Sequence, residues 1–276
     1  MFLNSLEQLF RRKILLVAML AALAFILLFW LSISKAVASI DFQSSQAPGP
    51  AEAAMLAVFS AGAVASTLLT ALVILLSVSI LPDEISHGRM SFWAALPIPR
   101  LSLYLGTTLP ALACSYALAL FLFAGVLVVT SVYLDFTPTS VSLAFLCLAM
   151  WLGVIWAAVT TLSLLLKKIP SMLLAFALCG MAGFSGGVVQ VAGIVPDAET
   201  HGFVKVAQAL RYVFPSDTAF RGLLYGLAPR ESVVTEGLAF IGVTATPGSW
   251  DIVYPVLWIC AIVGLGYWYF ARIDLP

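Results

Sequence analysis

Long apolar runs separated by short polar stretches dominate this chain. Six runs, 14–34, 53–81, 101–134, 141–166, 171–195 and 252–271, have the roughly 20 residues that a helix needs to cross a bilayer. Ahead of them, Phe2, Leu3, Leu6, Leu9 and Phe10 recur at helical spacing, with Asn4, Glu7, Gln8, Arg11 and Arg12 between them. That pattern predicts an amphipathic helix over 2–13 lying in the membrane interface. Ala36-Val37-Ala38 has the small-residue form of a signal-peptide cleavage site. The run before it is longer than the roughly 7–15 residues of a signal-peptide core, so an uncleaved span is expected.

Polar punctuation sets the remaining boundaries. Pro48-Gly49-Pro50 marks 35–52 as a loop. The second run is long enough to tilt or protrude, and Pro82 is expected to close it. Residues 82–100 then form a charged island with a small apolar face, expected to be a helix on the membrane surface. The third run is too long for one straight crossing, and Pro110 is a candidate kink. Residues 135–140 read as a tight turn, and Pro170 starts the fifth span. In the long segment 196–250, Phe203, Val206, Leu210, Val213 and Phe214 share one helical face. Pro215 breaks that helix, and Ser216 or Asp217 is expected to cap a second one with Phe220, Leu223, Leu224 and Leu227 on its face. Both short helices are expected to dip toward the outer interface. No internal repeat is evident, so an inverted-repeat carrier gains no support.

Composition sharpens the class. Of 276 residues, 62% are hydrophobic and 9% charged, against about 25% charged in a soluble domain. With a mean hydropathy of +1.09, a soluble core has too little interior to hide the apolar surface. The expected fold is all-α: one polytopic transmembrane domain over 1–276, with six spans. The formal net charge of zero gives no reason to expect nucleic acid. Charge placement orients the spans. Arg11, Arg12, Lys13, Arg89, Arg100, Lys167, Lys168 and Arg272 fall on one side, at span ends. Lys35, Lys205, Arg211, Arg221 and Arg230 fall on the other, four of them in the long segment where the positive-inside rule weakens. Both termini are therefore expected in the cytoplasm, and the chain in the cell inner membrane.

The candidate chemistry is sparse. The six span interiors hold no Asp, Glu, Lys, Arg or His, the groups that mark proton relays and ion-coupled carriers. No phosphate-binding loop is present, so no ATP or magnesium site is expected in this chain. If ATP supplies the energy, a separate ATPase must dock, and 82–100 is the largest cytoplasmic feature for it. Cys114, Cys147, Cys179 and Cys260 lie in spans without metal-ligand spacing, and no metal is expected. Gly183-Phe184-Ser185-Gly186-Gly187 fits G-x-S-x-G. A rhomboid-like intramembrane hydrolase using Ser185 is thus an alternative, but its chemistry needs a histidine base, and the chain has only His87 and His201. Gly183 and Gly187 also form G-x-x-x-G, which suits close helix packing at a dimer seam. A non-transporting anchor subunit is a further alternative. His87 with Asp83 and Glu84 reads as a solvated surface rather than a metal site. Tyr267, Trp268 and Tyr269 beside Arg272 fit an interfacial aromatic belt.

The N-terminal surface helix, the six spans and the charged loop after a long second span resemble the ABC-2 type permeases. In that loop Glu84, Gly88, Leu96-Pro97-Ile98-Pro99 and Arg100, then Tyr104-Leu105-Gly106, are similar to the family pattern. Thr107 stands where the family often has lysine. Phe214-Pro215-Ser216-Asp217 with Arg221 is similar to the Asn-Pro-Thr-Asp region of the permease in the nitrous oxide reductase maturation transporter. The resemblance implies a type V exporter-like architecture and a permease homodimer or heterodimer. It also implies two cytoplasmic ATP-binding subunits, which carry the ATPase activity, ATP and magnesium. The helix after span two would fit a groove on the ATPase, through Asp83, Glu84, Ile85, His87, Gly88, Arg89, Phe92, Trp93 and Arg100. Ile85, Phe92 and Trp93 would be buried there, while the charged neighbours set register.

Overall fold

The computed structural model describes residues 13–39, 50–86, 88, 90, 93, 98–134, 138–192, 202–228 and 247–273. These form eight α-helices: α1 (Lys13–Ser39), α2 (Pro50–Ser86), α3 (Arg100–Leu134), α4 (Val141–Leu165), α5 (Lys168–Ala192), α6 (Gly202–Val213), α7 (Ser216–Leu227) and α8 (Ser249–Phe270). Six of them, all but α6 and α7, are long and apolar enough to cross a membrane. The interfacial helix expected over 2–13 lies outside the described residues, apart from Lys13, which opens α1.

Several boundaries differ from expectation. Pro82 does not close span two; it sits inside α2, which runs on to Ser86. Proline removes one backbone donor, here the one that would reach the Val78 carbonyl, and the helix tolerates this near its polar end. The first residues of the charged island are therefore the last turn of α2. Gly88, at φ 68°, then turns the chain away, a backbone shape that glycine adopts without a Cβ penalty. The fifth span starts at Lys168, a little ahead of 171, with Pro170 in its first turn. Neither Ser216 nor Asp217 caps α7: its N-cap is Pro215, with no side-chain capping bond.

The core is built around α4. Its most apolar window is 78% buried, against 11% for α1 and for α8. Residues 151–160 are buried on every face, as expected of a helix that is hydrophobic all round. Polar contacts stitch it to its neighbours: Trp156 Nε1 donates to the Thr108 carbonyl at 3.0 Å, and Thr161 Oγ1 donates to the Ile262 carbonyl at 3.1 Å. Buried hydroxyls of Ser115, Thr130 and Thr160 donate to carbonyls four residues back in their own helices. This satisfies polar groups where no water is available.

The two short helices part company. α7 packs most extensively against α4. A Cβ on Gly226 would meet the Ala144 backbone nitrogen at 2.7 Å, and one on Gly222 would meet Cys147 Sγ at 2.7 Å. Only a glycine face fits so closely, so α7 is buried against α4. α6 behaves otherwise. Phe203 and Val206 are 62% and 58% exposed, and Val213 is exposed too. Phe214 does not share their face; it is buried just beyond the helix, edge-on to Trp258 at 5.5 Å.

Candidate functional site

At one end of the bundle the helix ends converge on the island between α2 and α3. Asp83, near the end of α2, pairs with Lys168 at the start of α5. Arg100, at the start of α3, donates to the Ala271 carbonyl beyond α8. Leu81, Met90, Leu103, Tyr104 and Phe270 form a buried cluster, with Ile85, Trp93, Ile98 and Tyr267 packed against it. The Tyr104 ring lies 5.7 Å from Phe270 and 6.4 Å from Tyr267. One short connector thus touches the ends of α2, α3, α5 and α8.

Each residue expected to couple to an ATPase has a definite place where it is described. Asp83 is engaged by Lys168, and Glu84 is only 6% exposed. Ile85 and Trp93 face inward onto the cluster. Gly88 terminates α2, its N–H donating to the Ile85 carbonyl at 3.1 Å. His87, Arg89 and Phe92 lie outside the described residues. The residues that are described bind first to the protein's own helix ends.

The opposite end holds a feature that the span-by-span reading missed. Asp217, on the first turn of α7 and 8% exposed, faces two arginines. Arg221 Nε donates to its Oδ2 at 2.8 Å, and Arg211 Nε lies 3.1 Å from the same oxygen. A Cβ on Gly186 of α5 would fall 2.1 Å from the Asp217 carboxylate, so glycine at 186 makes room for the ion cluster. The i,i+4 spacing of Asp217 and Arg221 was the available signal. Arg211 joins them only because the chain turns at Phe214 and Pro215. Elsewhere at this end, Thr139 and its hydroxyl both donate to the Ala228 carbonyl at 2.8 Å. Trp258 Nε1 of α8 donates to the Val213 carbonyl at 3.0 Å.

Beside Asp217 lies a cavity of about 360 Å³. Span two contributes Ser66, Thr67 and Thr70, α4 contributes Trp151 and Ile155, and α7 brings Phe220. The side formed by α5 is lined by Phe176, Cys179, Gly180 and Gly183.

The other sequence candidates are placed plainly. Ser185 is 1% exposed, and its hydroxyl donates to the Ala182 carbonyl of its own helix at 2.8 Å; His87 and His201 lie outside the described residues. A Cβ on Gly183 or Gly187 would meet no atom within 4 Å, so this G-x-x-x-G lies on an open part of α5. Within the chain, a close helix contact is made by a second G-x-x-x-G, Gly222 and Gly226. The four cysteines are free, and among the described residues no group of three His, Cys, Asp or Glu could hold a metal. No protein-family model matches the chain and no curated protein matches it, so the six apolar helices carry the assignment: this is a multi-pass membrane protein that meets the lipid bilayer along its spans.

Proposed function

We propose that this chain is the permease subunit of an ATP-binding cassette transporter of the ABC-2 type, exporting or delivering a substrate across the inner membrane. A separate ATPase, holding ATP and magnesium, drives it, and a second permease copy completes the membrane body. Both termini and the 82–100 connector then lie in the cytoplasm. The observation that carries this reading is the convergence of four helix ends on that connector. Asp83–Lys168, Arg100 to the Ala271 carbonyl, and the cluster around Tyr104 and Phe270 link it to α2, α3, α5 and α8. A push on the connector reaches α2 and α5, which also line the cavity at the far end. The described spans offer no chain of ionisable groups through which an ion gradient could act. Work delivered from outside the bilayer is the simplest remaining drive.

A tagged copy purified from its native membrane in mild detergent tests the reading. The expected complex has two copies of the permease and two of an ATPase, and it hydrolyses Mg-ATP. Trp93→Ala is expected to lower that hydrolysis while the chain still inserts and purifies. A functional complex with no ATPase, or unchanged hydrolysis in Trp93→Ala, would refute the assignment.

A further inference from the structure

The cavity beside Asp217 has a composition that selects a ligand. Its volume of about 360 Å³ falls in the range of small-molecule sites, about 300–1,000 Å³. One wall is aromatic and apolar: Trp151 and Phe220 stand 5.3 Å apart at a 45° tilt, with Phe176 and Ile155 nearby. Flat π-faces of this kind suit a ring. The other wall carries hydroxyls and a carboxylate. Ser66 Oγ donates to the Ala63 carbonyl at 2.8 Å and Thr67 Oγ1 to the Val64 carbonyl at 2.7 Å. Their protons are committed within α2, so they offer lone pairs to a visitor. Asp217, paired with two guanidiniums, offers its carboxylate oxygens as acceptors. Thr70 also lines this wall and its hydroxyl can accept or donate, so acceptors predominate and a ligand with a hydrogen-bond donor fits.

Charge narrows the choice. The charge of Asp217 is already met by Arg211 and Arg221, so an incoming cation gains little there for the water it sheds. An incoming anion would shed its water against an apolar wall and meet the Asp217 carboxylate, because neither arginine lines the cavity. An uncharged donor escapes both penalties. The cavity opens sideways: Thr67, Phe176, Gly180 and Gly183 are exposed at its rim, on helices that cross the membrane. Entry is thus from the apolar layer, which also favours a neutral ring.

We propose that this cavity is a binding site for an uncharged, ring-bearing molecule with a hydrogen-bond donor, of the size and kind of a phenol or indole, entering between α2 and α5. The site stands independently of the ATPase reading, because binding to it requires no partner.

Four probes that share one ring system test it: 1-naphthol, naphthalene, 1-naphthylmethylammonium and naphthalene-1-sulfonate. Binding is measured on the purified full chain in lipid nanodiscs, with protein-free nanodiscs subtracted. The expected result is saturable binding of 1-naphthol, with naphthalene about tenfold weaker for want of a donor and both ions weaker than 1-naphthol. Gly183→Leu should abolish 1-naphthol binding, because Gly183 lines the cavity and has open space for a bulky side chain that would compete for it. Gly264→Leu, equally free of contacts but on α8, should leave it intact. Thr70→Val, of the same shape, should weaken 1-naphthol several-fold and leave naphthalene unchanged. Absence of saturable 1-naphthol binding overturns the proposal. So does an ion binding as well as 1-naphthol, or full 1-naphthol binding in both Gly183→Leu and Thr70→Val.

Discussion

At the scale of single residues, Asp217 is a tightly constrained charge. It is buried, it holds two guanidiniums, and it presses on a backbone position where only glycine fits. A charge taken from water is expensive unless its partners compensate, and removing one partner strands the rest. Asp217→Asn keeps the shape and removes the charge, leaving Arg211 and Arg221 to face each other. The expected cost is about 1–3 kcal/mol, seen as a lower unfolding midpoint in detergent. Arg221→Gln should cost less, because Arg211 still lies 3.1 Å from the carboxylate. Equal stability of Asp217→Asn and the parent would show that the cluster holds nothing together. The sequence offered half of this cluster, the Asp217–Arg221 pair four residues apart. The other half needed the turn at Pro215, which brings Arg211 back and which no residue spacing encodes.

At the scale of elements, six spans were legible because a hydrocarbon layer leaves a helix few polar options. Their polar ends were less so. Pro82 and the acids after it resemble a stop, yet once a helix leaves the apolar layer it needs no apolar residues to continue. The two short helices were legible as helices from their periodicity, but their depths were not. An apolar face reads the same whether it meets lipid, as Phe203 and Val206 are free to do, or the protein, as Leu223 and Leu227 do. Glycine spacing does not separate the two cases either, because the same G-x-x-x-G occurs in both. Gly222 and Gly226 lie one turn apart on α7 and both abut α4, whereas Gly183 and Gly187 face open space. Gly226→Ala should therefore push α7 off the Ala144 backbone and cost about 1–3 kcal/mol, as overpacking does. Gly187→Ala should be neutral or slightly stabilising, since alanine is the better helix former. Thermal unfolding of the two variants side by side checks this. Equal midpoints would mean that α7 is not wedged as described.

At the scale of the whole molecule, the ion cluster and cavity occupy one end and the island the other, with α4 and the long α2 between them. α2 has 37 residues, about 55 Å at 1.5 Å per residue. That exceeds the roughly 30 Å of hydrocarbon, so one helix carries both Asp83 and the cavity hydroxyls of Ser66, Thr67 and Thr70. On the transporter reading, this helix passes movement at Asp83 toward the cavity, and the contact with Lys168 is one of the holds on its end. The pair is partly exposed, so its stabilising effect is small, about 0–1 kcal/mol. Its mechanical role is a separate matter. On the transporter reading, Asp83→Lys or Lys168→Asp alone should lower ATP hydrolysis by the purified complex several-fold with little change in unfolding midpoint. The double reversal restores the attraction with opposite signs and should recover most of the hydrolysis. Recovery is the informative result, because simple damage at either position would add rather than cancel. If the double variant is no better than the worse single one, the Asp83–Lys168 contact does not transmit the stroke, and the island must act through the Tyr104 and Phe270 cluster alone.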